Sequence, residues 1–305
     1  MLLVTGSTGA SGSAIIREFA RRGLPVRALV RDPGKLAHSG LPSSVEIAHG
    51  DMLRPDSLTR ALDGVETALM ISSPEPSLVE TQRSFVDAAK QAGVRHIVKF
   101  SGRGCVLDSG FRFARMHAEI ERYLENSGLA WTHLRPSQFM HVYFREVPSI
   151  VRDGALRLPM GDARLSPVAA EDIAKVAVSL LEGAGHEGKR YEMTGPEALT
   201  MHQVAETISS VTGIPVRYVD VDPDDKNKEL RAQGVPAYFA DAMDELFLGR
   251  RQSLDESRVE LSTHEAFGVT PTSFDTFVRE HANVFRGAAE PNHLLPSGWQ
   301  PASQG

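Results

Sequence analysis

The sequence holds one cysteine, Cys105, among 305 residues. No internal disulfide framework and no paired-thiol chemistry can therefore be built within the chain. No apolar run approaches the ~20 residues of a membrane-spanning helix, so a membrane partner is not expected. Basic residues are scattered, and 33 of them against 39 acidic ones leave a formal net charge of −6. That balance argues against a nucleic-acid footprint. The eleven histidines fall in no local His/Cys/Asp pattern with metal-ligand spacing, and no metal is expected. Internal repeats and low-complexity segments are also missing. The first residues enter a strand pattern at once, which leaves no signal-peptide pattern and makes a cytoplasmic location the expectation.

What is present is concentrated near the N-terminus. Leu2-Leu3-Val4 reads as a buried strand, and it runs straight into Thr5-Gly6-Ser7-Thr8-Gly9-Ala10-Ser11-Gly12. From Ser13 onward, Ile15, Ile16, Phe19 and Ala20 share one helical stripe. A glycine pattern gains its specificity from this strand–turn–helix context. Gly6 allows the tight turn, Gly9 lets the backbone approach a pyrophosphate, and Gly12 lets the helix pack closely. The helix N-terminus then offers unpaired N–H groups and a partial positive charge to phosphate.

The first half alternates short strands, at 2–5, 26–30, 45–48, 68–71, 94–100 and 131–134, with helical patterns, clearest at 77–92 and 113–126. Such alternation predicts a parallel sheet covered on both faces. After Arg135-Pro136 the rhythm breaks into an aromatic stretch over 137–165. Further elements are expected as a helix from Glu171, strands at 190–193 and 216–219, a helix over 200–212 capped by Thr200, and mostly helix over 223–249. The expected organisation is a dinucleotide-binding domain over 1–136 and a mixed substrate-binding subdomain over 137–285. Segments around 166–193 return to the first domain, and a tail over 286–305 is predicted without regular structure.

Ligands of open parallel sheets bind beyond the carboxyl ends of strands. After the second strand stand Arg31, Asp32 and nearby Lys35. An arginine here can fork onto a 2′-phosphate and favour NADP(H), whereas Asp32 facing a ribose would admit NAD(H). After the third strand, Asp51 can accept from an adenine amino group, with Met52 against the ring. A turn aspartate capping the next helix is the equal alternative. Ser72, Ser73 and Pro74 follow the fourth strand, Ser101-Gly102 the fifth, and Pro136 closes the sixth.

Together these segments resemble the atypical NmrA-like branch of the short-chain dehydrogenases/reductases, and within it the triphenylmethane-dye and quinone reductase type. The resemblance runs from Leu2 to about Gly249. It rests on the glycine-rich turn, Val30-Arg31-Asp32, His49-Gly50-Asp51, Ala92-Gly93-Val94-x-His96-Ile97, Trp131-Thr132-x-Leu134-Arg135-Pro136, Glu171-Asp172-Ile173-Ala174 and Gly234-Val235-Pro236. It implies a Rossmann-type doubly wound parallel sheet, α/β in class, with a smaller discontinuous C-terminal subdomain. It also implies cofactor contacts from Gly6, Ser7, Thr8, Gly9, Ala10, Ser11 and Gly12, and then from Arg31, Lys35, Asp51, Met52, Ser72, Ser73, Pro74, Ser101, His117 and Pro136.

One departure carries information. The wider superfamily places Tyr-x-x-x-Lys on the helix after the fifth strand, where this chain has Phe113-Ala114-Arg115-Met116-His117. Phe113 cannot donate a proton. His117 can bond a ribose hydroxyl, as the dye-reductase type implies, or serve only as a packing histidine. Ser101 keeps at most an orienting role. Quinones, dye cations and polarised alkenes accept hydride with little demand for acid, so the expected partner is a small apolar or aromatic acceptor. Its wall is expected from Phe113, Phe139, Met140, Tyr143, Phe239 and Met243. Tyr143 is the remaining local proton-donor candidate, although a packing aromatic suits the residue better. Two rival expectations stand beside the NADPH-dependent reductase: a non-catalytic NADP(H)-sensing regulator and a nucleotide-sugar epimerase or dehydratase. The oligomeric state is open between monomer and homodimer.

Overall fold

The computed structural model describes residues 1–34, 40–252 and 255–290. In chain order the first elements are β1 (Leu2–Val4), α1 (Ala10–Arg21), β2 (Arg27–Val30), β3 (Glu46–His49), α2 (Pro55–Leu58), β4 (Thr67–Met70), α3 (Leu78–Gln91), β5 (His96–Phe100), α4 (Arg112–Glu125) and β6 (Ala130–Pro136). A 3-10 segment, Met140–Glu146, precedes α5 (Val147–Asp153), β7 (Ala155–Leu158), β8 (Arg164–Leu165), α6 (Ala170–Glu182) and β9 (Lys189–Met193). Then come β10 (Leu199–Thr200), α7 (Met201–Thr212), β11 (Arg217–Asp220), α8 (Pro223–Ala232) and α9 (Ala237–Gln252). The short helices α10 (Ser262–Ala266), α11 (Phe274–Glu280) and α12 (Ala282–Phe285) finish the described chain.

The chain divides into two compact units. The first comprises Met1–Ser109, Phe113–Pro136 and Ile173–Glu192, and the second comprises Gly110–Arg112, Ser137–Asp172 and Met193–Gly305. In the first, a seven-stranded sheet has the order β3-β2-β1-β4-β5-β6-β9. The pairings from β3 through β6 are parallel. The order reverses between β1 and β4, the position at which open α/β sheets open a ligand crevice. β1 and β4 are buried on both faces, which is why they read as nearly continuous apolar runs. α1 buries Ile15, Ile16 and Phe19, and Arg22 ties it to α6 through Ser179 Oγ (3.1 Å) and the Lys175 carbonyl (3.0 Å).

β5 starts at His96, not at the expected residue 94. Gly93 has φ +82°, and the Val94 N–H returns to the Ala89 carbonyl at 3.0 Å, so both residues complete the end of α3. The second unit holds a β11–β7 parallel pair and a β10–β8 antiparallel pair, and the sequence patterns had signalled only β11. Thr200 caps α7 in a full capping box with Gln203. Tyr143, Phe144, Phe274, Phe277 and Phe285 are all buried in this unit. Phe144 stacks on Phe277 with centroids 5.5 Å apart. Lys226 and Glu146 form a buried ion pair at 2.9 Å.

Candidate active site

Backbone sterics shape the glycine-rich turn. Gly6 adopts φ +58°, and a Cβ there would meet the Ile71 carbonyl oxygen at 2.9 Å. A Cβ on Gly12 would stand 2.2 Å from the Gly6 carbonyl oxygen and 2.9 Å from Ser7 Cα, both backbone atoms. Gly9 is looser, with its nearest contact at 3.3 Å. Thr5 pins the turn to the end of β4, donating from Oγ1 to the Ile71 carbonyl (2.6 Å) and accepting from the Ile71 N–H (2.8 Å). α1 has no side-chain cap at Gly9. Among the described residues the N–H groups of Ala10, Ser11 and Gly12 have no hydrogen-bond partner. Three aligned unpaired donors at the start of a helix could hold a pyrophosphate.

The other strand ends refine the sequence expectations. Ser7 is buried and its hydroxyl donates to the Leu29 carbonyl at 2.7 Å, so its side chain serves the fold. Arg31 is exposed at the end of β2. Asp32 closes its own turn by accepting from the Gly34 N–H at 2.9 Å. Lys35 lies outside the described residues. Asp51 Oδ1 accepts from the Leu53 N–H at 3.0 Å, the turn role weighed above, and Met52 is buried beside it. The Ser72 hydroxyl accepts from Gln82 Nε2 at 2.9 Å. Ser73 and Pro74 are half-buried, as are Thr8, Ala10 and Ser11. Pro136 is buried, and its carbonyl accepts from the Arg103 N–H at 3.0 Å.

β5 and α4 together bring a residue that the sequence reading missed. Lys99 lies in β5 with no exposed surface, and its Nζ is 2.7 Å from His117 Nδ1. It also reaches the Phe100 carbonyl at 3.3 Å. Burial pulls the Lys99 pKa down to about 8, against the opposing pull of Glu121 and Cys105. His117 is driven well below the ordinary imidazole value, first by burial and then by Lys99. An ammonium can only donate, so a protonated Lys99 makes His117 Nδ1 the acceptor. The neutral ring then carries its proton on Nε2. A lysine inside an otherwise apolar central strand, His96-Ile97-Val98-Lys99-Phe100, was the available signal.

One turn further along α4, Glu121 is buried and takes a two-pronged ion pair from Arg135. Burial pushes its carboxyl pKa up, but Arg135, His133 and Ser101 outweigh this and leave it lowered. Ser101 is buried, and its Oγ lies 3.7 Å from Cys105 Sγ. Burial raises the Cys105 pKa, in keeping with an inert thiol. His133, Glu125 and Glu121 lie close enough to suggest metal ligands. Their carboxylates are already held by Arg190 and Arg135.

Each residue expected for the acceptor wall lies within its own unit. Phe113 belongs to the first and is buried at 5% exposure. Phe139, Met140, Tyr143, Phe239 and Met243 belong to the second. Phe139 and Phe239 are half-buried, and the Arg145 guanidinium stands 5.4 Å over the Phe239 ring. Met140 and Met243 are buried. Tyr143 has no exposed surface and packs edge-on against Phe274 at 5.4 Å. Burial raises its phenol pKa far above the ordinary value. This corrects the expectation of a proton donor, because a sealed and weakened acid is unsuited to that task.

A model of the NmrA-like family matches residues 1–278. The chain belongs to the NmrA-like family. Among its relatives in this family is the NAD(P)H azoreductase of Xenophilus azovorans, 37% identical over 289 residues that cover 95% of this chain and 100% of the relative. Another is the (4-alkanoyl-5-oxo-2,5-dihydrofuran-3-yl)methyl phosphate reductase of Streptomyces griseus, 34% identical over 93% of this chain and 99% of that protein. The NADPH-dependent quinone oxidoreductase of Escherichia coli, solved in complex with NADPH, superposes with a TM-score of 0.82. It shares 28% sequence identity, covering 92% of this chain and 99% of that one. The NmrA-like fold, with its parallel sheet and flanking helices, is thus common to this chain and to a reductase that holds NADPH.

Proposed function

We propose that the chain is an NADPH-dependent reductase that delivers hydride to a small aromatic, quinone-like or conjugated acceptor. The observation that carries this reading is the row of unpartnered N–H groups at Ala10, Ser11 and Gly12, which open α1 directly after the glycine-rich turn. The named activities of the azoreductase and quinone oxidoreductase relatives support the acceptor class. A nicotinamide dinucleotide bound there would supply the hydride. The backbone N–H groups of Ala10, Ser11 and Gly12 would hold its pyrophosphate, with Thr8 and Gly9 lining the approach. Arg31, exposed at the end of β2, would take a 2′-phosphate. Asp51, through its remaining oxygen, and Met52 would flank the adenine. The backbone beyond β4, at Ser72, Ser73 and Pro74, and beyond β6, at Pro136, would line the path.

His117 is assigned to the reacting end. With Lys99 protonated, the ring offers Nε2–H as a donor to a ribose hydroxyl or to an oxygen that gains charge. Lys99 acts through His117 and is a positioning residue. Ser101 orients Glu121, and no tyrosine stands where Phe113 is, so acceptors with little need of acid suit the site. The division into two units, a cytoplasmic location and membership of the short-chain dehydrogenases/reductases belong to the same reading. Its cytoplasmic part rests on the single buried cysteine and on the lack of any helix, among the described residues, long and apolar enough to cross a membrane.

The deciding experiment is single-turnover NADPH oxidation with a quinone, an azo dye and a cationic triarylmethane dye, for wild type and His117→Gln. Wild type should oxidise NADPH with at least one acceptor. The variant should lose roughly a hundredfold in rate, as expected when the reacting groups are misplaced, while cofactor affinity changes little. Tight NADPH binding with no hydride transfer to any acceptor would favour the sensing regulator instead.

A further inference from the structure

In the second unit His141 stands out. It is 2% exposed, and neither of its ring nitrogens makes a hydrogen bond. Buried imidazoles ordinarily satisfy at least one nitrogen, so an orphaned pair asks for an unseen partner. Phe144 and Phe277 pack around the ring at 5.4 Å and 4.8 Å. Two further groups converge on it. Glu171, in the first turn of α6, brings Oε1 to 3.4 Å from His141 Nε2. His281, just beyond α11, has its ring 5.5 Å from that of His141. One ligand atom from each of the three lies within 4.8 Å of the others.

The protonation states suit a cation. His281 Nδ1 is 2.9 Å from the Phe277 carbonyl, which can only accept, so Nδ1 carries the proton and Nε2 keeps its lone pair. Metal-bound histidines commonly show this arrangement, with one nitrogen anchored to a carbonyl and the other free to coordinate. Glu171 contributes a carboxylate oxygen to the group. Its side chain is 48% exposed, which leaves an entry path from water. The His141–Glu171 separation also matches neighbouring ligands of a tetrahedral ion with bonds of ~2.0–2.1 Å.

We infer that His141, Glu171 and His281 form a binding site for a divalent transition metal of the zinc class. Two imidazoles and one carboxylate match zinc better than calcium or magnesium, which prefer oxygen donors. Water would fill the fourth position. The trio lies within the second unit and is independent of the reductase reading. In the other candidate group, Glu121, Glu125 and His133, guanidinium partners already neutralise both carboxylates.

The test uses the full chain stripped with a chelator, titrated calorimetrically with zinc chloride and by visible absorption with cobalt(II). One zinc per chain should bind with roughly micromolar affinity or better, and cobalt should show the intense d–d bands of a four-coordinate site. His141→Ala, Glu171→Gln and His281→Gln should each weaken binding by about tenfold or more. NADPH binding of each variant reports on folding. Glu171→Gln, at a half-exposed position, keeps the test valid if His141→Ala does not fold. No zinc uptake, or uptake that survives Glu171→Gln and His281→Gln, overturns the assignment and leaves scattered surface histidines as the cause.

Discussion

Replacing Lys99 by methionine should change how stability depends on pH. In the unfolded chain this amine takes up its proton near 10.5, and in the fold near 8. Between those values the unfolded chain binds the extra proton and the folded one does not, so wild-type stability rises with pH across that window. Below pH 8 both states are protonated, and the full cost of burying the charge, about 3 kcal/mol, is present. Lys99→Met removes this cost but also strips His117 Nδ1 of its donor, a loss of about 1–3 kcal/mol. The two effects oppose each other at pH 7, which makes the slope the diagnostic quantity. The stability of the variant relative to wild type should fall by about 2–3 kcal/mol between pH 7 and pH 10. Urea unfolding of the cofactor-free protein at four pH values measures this. Both chains would carry Cys105→Ala so that thiol ionisation does not contribute. A stability difference that stays constant within about 0.5 kcal/mol across the range would refute a depressed lysine.

Gly12→Ala should destabilise the chain by about 3 kcal/mol or more, because its Cβ would press on the Gly6 carbonyl oxygen from 2.2 Å. Gly9→Ala, whose Cβ would stand 3.3 Å from the Gly6 carbonyl oxygen, should cost far less stability than Gly12→Ala yet bind NADPH more weakly. Paired melting curves and cofactor titrations check both, and a fully tolerated Gly12→Ala would contradict the turn geometry. Arg31→Ala should lower NADPH affinity roughly ten- to a hundredfold and spare NADH, as calorimetric titration of the two cofactors will show. Lys226→Met leaves the Glu146 carboxylate buried without its partner. A loss of about 3–5 kcal/mol in equilibrium unfolding is expected, and a neutral result would mean that the pair is not closed off from water.

The strand–turn–helix unit, from β1 through Gly12 to Phe19, is legible in the sequence because its interactions are local. Glycines at positions 6, 9 and 12 and the helical stripe of Ile15, Ile16 and Phe19 specify turn, helix start and buried face within one short stretch. Strand and helix alternation up to Pro136 is legible for the same reason, since apolar periodicity is a property of neighbours. So is the Thr200 cap, whose partner Gln203 is three residues away. Side-chain partners are not legible in the same way. The Ser7 and Ser72 hydroxyls meet Leu29 and Gln82, 22 and 10 residues away along the chain. Tyr143 looked able to donate a proton until packing sealed it against Phe274.

What tertiary structure alone decided is which distant groups meet. Lys99 and His117 are 18 residues apart, on a strand and on the following helix, and their 2.7 Å contact follows from how α4 lies on β5. His141, Glu171 and His281 come from three separate elements, so no spacing rule applied to the chain could have grouped them. Backbone conformation and apolar periodicity depend on residues a few positions apart and are written along the sequence. Charge pairing, burial and ligand geometry depend on distances in space, and those exist only after the chain has folded.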